Sequence, residues 1–165
     1  MWAFSLLTEA RHISPVTAGT WVSGFWLGLT TGRLLFGLIV GLAPLATLLR
    51  ASLAAIVGGA ALVTLDLGGA ATLAGLVVLG LAMAPIFPSM IATMPARLGP
   101  RHAANGVGFQ VAAASLGQSL LPAFVGLLVA KKGLESVGPA LVVGGAALLL
   151  LHELPGMHTA EVSSR

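Results

Sequence analysis

Gln110 and Gln118, with Asn105 upstream in the same apolar run, are the side chains best equipped to hold a polar solute. Residues 110, 114 and 118 share one face of a helix, with Gly117 beside them. That face offers two carboxamides and little bulk. A carboxamide both donates and accepts, which suits a hydroxyl-rich solute, and the same groups also bond helices to one another. Arg33 sits about two turns inside the apolar stretch that ends near Val40. A guanidinium there must pair, face water or snorkel to the headgroups. It either lines a cavity or anchors the helix.

Pro85 and Pro88 lie three apart in Ala82-Met83-Ala84-Pro85-Ile86-Phe87-Pro88-Ser89. Each removes a backbone donor inside an apolar helix, a loss tolerated where neighbouring helices, side chains or water replace it. Such breaks occur where membrane proteins handle solutes, and also where a kink serves packing alone. Pro122 is expected to bend the following span in the same way. The candidate solute wall is Arg33, Phe87, Asn105, Gln110 and Gln118, shaped by Pro85, Pro88 and Pro122.

Other chemistries find little support, and no enzymatic activity is expected. His12, His102, His152 and His158 fall in connections or at span ends, without metal-ligand spacing. Ser23 has no histidine within a span to activate it. A glycine-rich phosphate loop ending in lysine is missing, which argues against an ATP-driven motor. No cofactor or metal is implied.

The elements that must position these residues are membrane spans. The chain is 57% hydrophobic and 8% charged, with a mean hydropathy of +1.01. Soluble domains carry about a quarter charged residues. The net charge of +3 comes from few residues, without a basic stripe interleaved with aromatics, so nucleic acid is not an expected partner. There is no cysteine and no tyrosine. An interfacial aromatic belt must come from Trp2, Trp21, Trp26 and the phenylalanines.

Five full spans are expected, at about Pro15–Val40, Leu48–Leu65, Gly69–Met94, Asn105–Ala130 and Val137–Leu151. Residues 1–8 are apolar but too short to cross, and they lack the basic start and cleavage site of a signal peptide. They read as the end of a helix whose beginning lies outside this sequence, so the chain is expected to be truncated. Leu65-Asp66-Leu67-Gly68-Gly69 is a tight turn. Pro95–His102 is expected to be a basic loop, Lys131–Ser136 a short connection, and His152–Arg165 a polar tail, disordered at its end. Arg33, Arg50, Arg97, Arg101 and Arg165 fall on one side of the membrane. Arg11, Lys131 and Lys132, with Glu9, Asp66 and Glu135, fall on the other. The arginine-rich side, with the tail, is assigned to the cytoplasm.

Gly24, Gly28 and Gly32 recur every fourth residue, a face on which a second helix can approach closely; Gly117 offers the same on its own span. The run Trp26-Leu27-Gly28-Leu29-Thr30-Thr31-Gly32-Arg33-Leu34-Leu35-Phe36-Gly37 resembles the start of the second half of a major facilitator superfamily transporter. Gly80–Ser89 resembles the tenth helix of its sugar-porter-like members, including the fucose permease group. Gly106-Val107-Gly108-Phe109-Gln110 through Pro122 resembles the eleventh. The resemblance extends over nearly the whole chain, from the initial segment as the end of helix seven to the last span as helix twelve.

That resemblance implies an all-α six-helix bundle forming the carboxy-terminal half of a twelve-helix secondary transporter. A small solute, sugar-like by analogy, would bind between the halves and move by alternating access. The implied partners are the bilayer, the solute, and an amino-terminal half or a second copy. The implied location is a bacterial plasma membrane. Two features depart from the family. Gly37-Leu38-Ile39-Val40-Gly41-Leu42-Ala43-Pro44 lacks the charged latch expected after Gly32-Arg33, and no acid lies deep in a full span to relay protons. Two other readings remain: a membrane-embedded assembly subunit, and a half-transporter working as a homo-oligomer.

Overall fold

A computed structural model of the chain describes the backbone of residues 2–163 and the side chains of residues 2–154. Regular structure among the described residues is entirely helical. A short α1 (Trp2–Ser5) runs into a π turn at Leu6–Ala10. Then follow α2 (Pro15–Ile39), α3 (Leu45–Leu65), α4 (Gly69–Met83), α5 (Ile86–Ala92), α6 (Met94–Leu98), α7 (Pro100–Lys132), a 3₁₀ turn at Leu134–Ser136, and α8 (Val137–Ser163). Five helical stretches are long and apolar enough to cross a bilayer: α2, α3, the run from Gly69 to Leu98, α7, and residues Leu134–Leu154. An integral membrane protein with several spans follows from their length. The 25 residues of α2 extend about 37 Å at about 1.5 Å per residue, against a hydrocarbon core of about 30 Å.

Local chemistry sets the helix ends. Ser14 caps α2 by accepting the Thr17 N–H at 3.2 Å, and Pro15 occupies the first turn, where its missing donor costs nothing. Asp66 ends α3 in the left-handed conformation (φ 45°), which a short polar side chain tolerates. Gly133 ends α7 at φ 82°. Within the spans, Thr20, Ser23, Thr30, Thr64, Ser115 and Ser119 donate their hydroxyls to carbonyls one turn back, at 2.7–3.2 Å. These polar groups are thus satisfied inside their own helices, as an apolar solvent demands.

Two expectations require correction. Pro95–His102 is not a loop. Pro95 and Pro100 each sit in the first turn of a helix, leaving Gly99 at φ 74° as the break between α6 and α7. Proline marks a helix start as readily as a turn, and here it does the former. The expected tail is helical from His152 to Ser163, because polarity decides what a helix faces, not whether it continues; Arg165 lies outside the described residues. The third span breaks at its two prolines, as their spacing leads one to expect. It divides after Met83, and the backbone bonds remaining at the division are Ala84 N–H to Leu81 O (3.4 Å) and Ser89 N–H to Pro85 O (3.1 Å). Pro122, by contrast, lies inside an uninterrupted α7.

The principal helix contacts are α2 on α4, α4 on α3, and α3 on α8. Each is made where glycine removes a side chain. A Cβ on Gly28 would lie 2.6 Å from Val77 O, and one on Gly32 would lie 2.8 Å from Leu81 O. Gly59 and Gly75 face each other across α3 and α4, while Gly138 meets Thr64 and Gly145 meets Ile56 and Val57 across α3 and α8. Lipid is as apolar as leucine, so close approach and dispersion hold these helices together rather than the hydrophobic effect. Leu53, Ile56, Ala60 and Val63 of α3 and Leu76, Leu79 and Ala82 of α4 form the core, joined by Leu6 and Leu7 from the π turn.

Helix α7 stands apart, with no buried residue. It is held near its ends, where Gly106 meets Met94 and Leu98 and Gly126 meets Trp2. Arg50 pairs with Glu153 at 2.7 Å, tying α3 to α8, with the two side chains 53% and 37% exposed. Exchanging Arg50 for glutamine is expected to lower stability by no more than about 0.5 kcal/mol, the scale of a solvated ion pair. Thermal unfolding in detergent checks this, with a markedly larger loss counting against a solvated pair.

Candidate functional site

The chain's only carboxamides are Asn105, Gln110 and Gln118, all on α7. Spacing sets Asn105 away from the face shared by Gln110 and Gln118. Asn105 and Gln118 are exposed, whereas Gln110 is half-buried. Both Oε1 and Nε2 of Gln110 are enclosed and make no hydrogen bond among the described residues. Gln110 lies ten residues past Pro100, about 15 Å along the helix from its start.

A second enclosed polar group lies on a different helix, a similar number of residues from the Gly99 break. Ser89, 3% exposed, sits on α5 just beyond Pro85 and Pro88, nine residues before Leu98. Its hydroxyl is also without a hydrogen bond among the described residues, although most serines and threonines of the spans bond back to their own helix. An enclosed donor or acceptor without a partner loses free energy of about 1–3 kcal/mol. Two such groups within the spanning stretches are therefore the positions where a polar molecule or another helix has most to offer. Ser89 closes the two-proline motif in the sequence, but nothing in its spacing signals that its hydroxyl is unpaired.

The remaining wall candidates are spread. Arg33 is exposed beside the buried Gly32 on α2, and it forms no ion pair among the described residues. Phe87 is 46% exposed, and Pro85 is buried while Pro88 is exposed. An apolar groove with a cavity volume of about 380 Å³ runs between α2, α3 and α4; it includes Gly32, Phe36, Leu48, Ala55, Leu81 and Pro85. A shallow hollow of about 460 Å³ lies along α7 over Asn105, Gly108, Phe109 and Ala112. Neither is lined by Arg33, Phe87, Gln110 or Gln118. The candidates thus do not converge on one enclosed cavity within this chain.

Among the packing glycines, Gly24 meets side chains of Leu73 and Val77, and Gly28 and Gly32 meet α4 backbone. Gly117 meets only Leu121 of its own helix, at 4.0 Å. Ser23, considered as a nucleophile, donates to Gly19 O at 2.9 Å. No group of three or more histidine, aspartate or glutamate side chains able to hold a metal ion occurs among the described residues.

The polar centre that spacing did not foretell is at one end of the bundle. Arg11, with a side chain 5% exposed, meets Asp66 and Glu135 at 3.1 Å each. Sequence placed these three on the same membrane side, but not on one guanidinium. Among known proteins, no family model, no curated protein and no solved structure matches this chain.

Proposed function

We propose that this chain forms one wall of a secondary transporter that moves a small polar solute by alternating access. The reading rests chiefly on one observation: the Gln110 carboxamide and the Ser89 hydroxyl are enclosed without partners within two of the spanning stretches. They lie on α7 and on the helix that follows the proline break. Solute sites in carriers favour such discontinuous helices, where interrupted backbone and side chains replace water around the solute. The resemblance to the carboxy-terminal half of major facilitator superfamily transporters supports the same reading, and a sugar-like solute suits groups that both donate and accept. The wall is completed by an amino-terminal half or by a second copy of the chain. A bacterial inner membrane is the proposed location. The loosely held α7 suits a surface that meets such a partner.

The test is solute counterflow in proteoliposomes, using protein purified from its own membrane in mild detergent so that a partner stays bound. Hexoses, deoxyhexoses and organic anions form the panel. Saturable counterflow is expected for a sugar, reduced about tenfold in kcat/KM by Gln110→Leu, as the loss of one hydrogen bond of about 1.4 kcal/mol implies. The chain stripped of its partner and held monomeric is expected to transport nothing. If Gln110→Leu instead disperses an assembly that shows no counterflow with any solute, the protein is an assembly subunit.

A further inference from the structure

Arg11 lies in the connection between the π turn and α2, and its guanidinium joins two other parts of the chain. Nε and Nη2 donate to the two carboxylate oxygens of Glu135 at 3.2 and 3.1 Å. Nη1 meets Asp66 Oδ1 at 3.1 Å, and Nη2 donates to Val63 O at 2.8 Å. A longer contact joins Nη1 to Thr72 Oγ1 at 3.4 Å. Asp66, Val63 and Thr72 belong to the α3–α4 hairpin, whereas Glu135 belongs to the connection between α7 and α8.

The two limbs of this node differ in what else secures them. The α3–α4 hairpin is packed along its length through Gly59 and Gly75. On the far side of Glu135, α8 is seated by Val137, 4% exposed, and by Gly138 against Thr64. On the near side lies Gly133 at φ 82°, and beyond it α7, which buries none of its residues. The guanidinium's α3–α4 contacts to Val63, Asp66 and Thr72 do not involve Glu135. One cation faces two carboxylates, so losing Glu135 leaves a balanced pair, and Glu135, 57% exposed, can rehydrate. Losing Asp66 leaves a bidentate pair in place.

We propose that the Arg11–Glu135 pair is a releasable clasp that fixes the position of α7 against the bundle, with the Asp66 limb as its permanent mount. When Glu135 lets go, α7 moves about Gly133 while α3, α4 and α8 keep their packing. The device is a two-state contact at one end of an otherwise loosely held helix. It stands independently of what the protein transports.

The chain contains no cysteine, so spin labels can be placed without background. One pair, Val16→Cys with Ala130→Cys, reports α2 against α7; a control pair, Ala54→Cys with Leu148→Cys, reports α3 against α8. These four positions are exposed. By double electron–electron resonance on the full chain in nanodiscs, the unmodified clasp should give one narrow α2–α7 distance. Glu135→Gln should add a second, longer population there and leave the control pair unchanged, while Asp66→Asn should alter neither. Glu135→Asp, which keeps the charge but shortens the reach, should give an intermediate population, and it carries the test should Glu135→Gln fail to fold. An α2–α7 distribution identical in the Glu135 variants and the parent would overturn the proposal. So would equal broadening of both pairs, which marks general loosening.

Discussion

Gly80→Val is expected to prevent α2 from docking on α4 and to lower stability by about 3 kcal/mol or more, the upper end of overpacking penalties. A Cβ on Gly80 would fall against Phe25 O, and would lie 2.9 Å from Leu29 N and 3.0 Å from Phe25 C. All three are backbone atoms, so no rotamer change relieves the clash and the helices must separate. Separation forfeits dispersion along the whole α2–α4 contact, including Gly28 against Val77 O and Gly32 against Leu81 O and Ala84. Position 24 provides the contrast. A Cβ there would meet only the side-chain atoms Leu73 Cδ1 at 3.1 Å and Val77 Cγ2 at 3.3 Å. Alanine substitutions should therefore be graded, Gly80 costing most, Gly28 next and Gly24 least, in thermal unfolding monitored by circular dichroism in detergent. A flat series would show that backbone contact is not what holds α2 in place.

The second large effect is expected at Arg11. Arg11→Ala leaves Asp66 and Glu135 near one another and strips Val63 O of its side-chain donor. Breaking a fully buried pair costs about 3–5 kcal/mol. Here the carboxylates are 55% and 57% exposed, and water screens them, which lowers the expected loss to about 2 kcal/mol. Arg11→Lys should recover only part of it, since an ammonium cannot engage both oxygens of Glu135 while keeping the α3–α4 contacts. Adding Asp66→Asn to Arg11→Ala should restore some stability by removing repulsion between the acids. Chemical unfolding of the single and double variants measures that coupling. Strictly additive losses would mean that Arg11 and Asp66 do not sense each other.

The spans were legible because their signal is one-dimensional: enough consecutive apolar residues reach across the hydrocarbon core whatever surrounds them. The turn at Asp66–Gly68, the start of α2 at Pro15 and the glycine face of residues 24, 28 and 32 were equally readable. Each depends on neighbours within a few positions. Local signals misled where one residue type serves two purposes. Pro95 and Pro100 start helices instead of bounding a loop, and the polar stretch after His152 continues α8.

The amino-acid sequence by itself thus determined the solvent, the number of spanning-length helical stretches, the shared end of Arg11, Asp66 and Glu135, and the place of the proline break. Tertiary structure alone decided that α4 sits between α2 and α3, that one guanidinium gathers three connections, and that Gln110 is enclosed while Gln118 is open. The reason is physical. A helix that is apolar on every side carries no stripe to say which side meets protein and which meets lipid. Only the fit of backbone against backbone at the glycines, and the few charges that must find partners, choose among the arrangements.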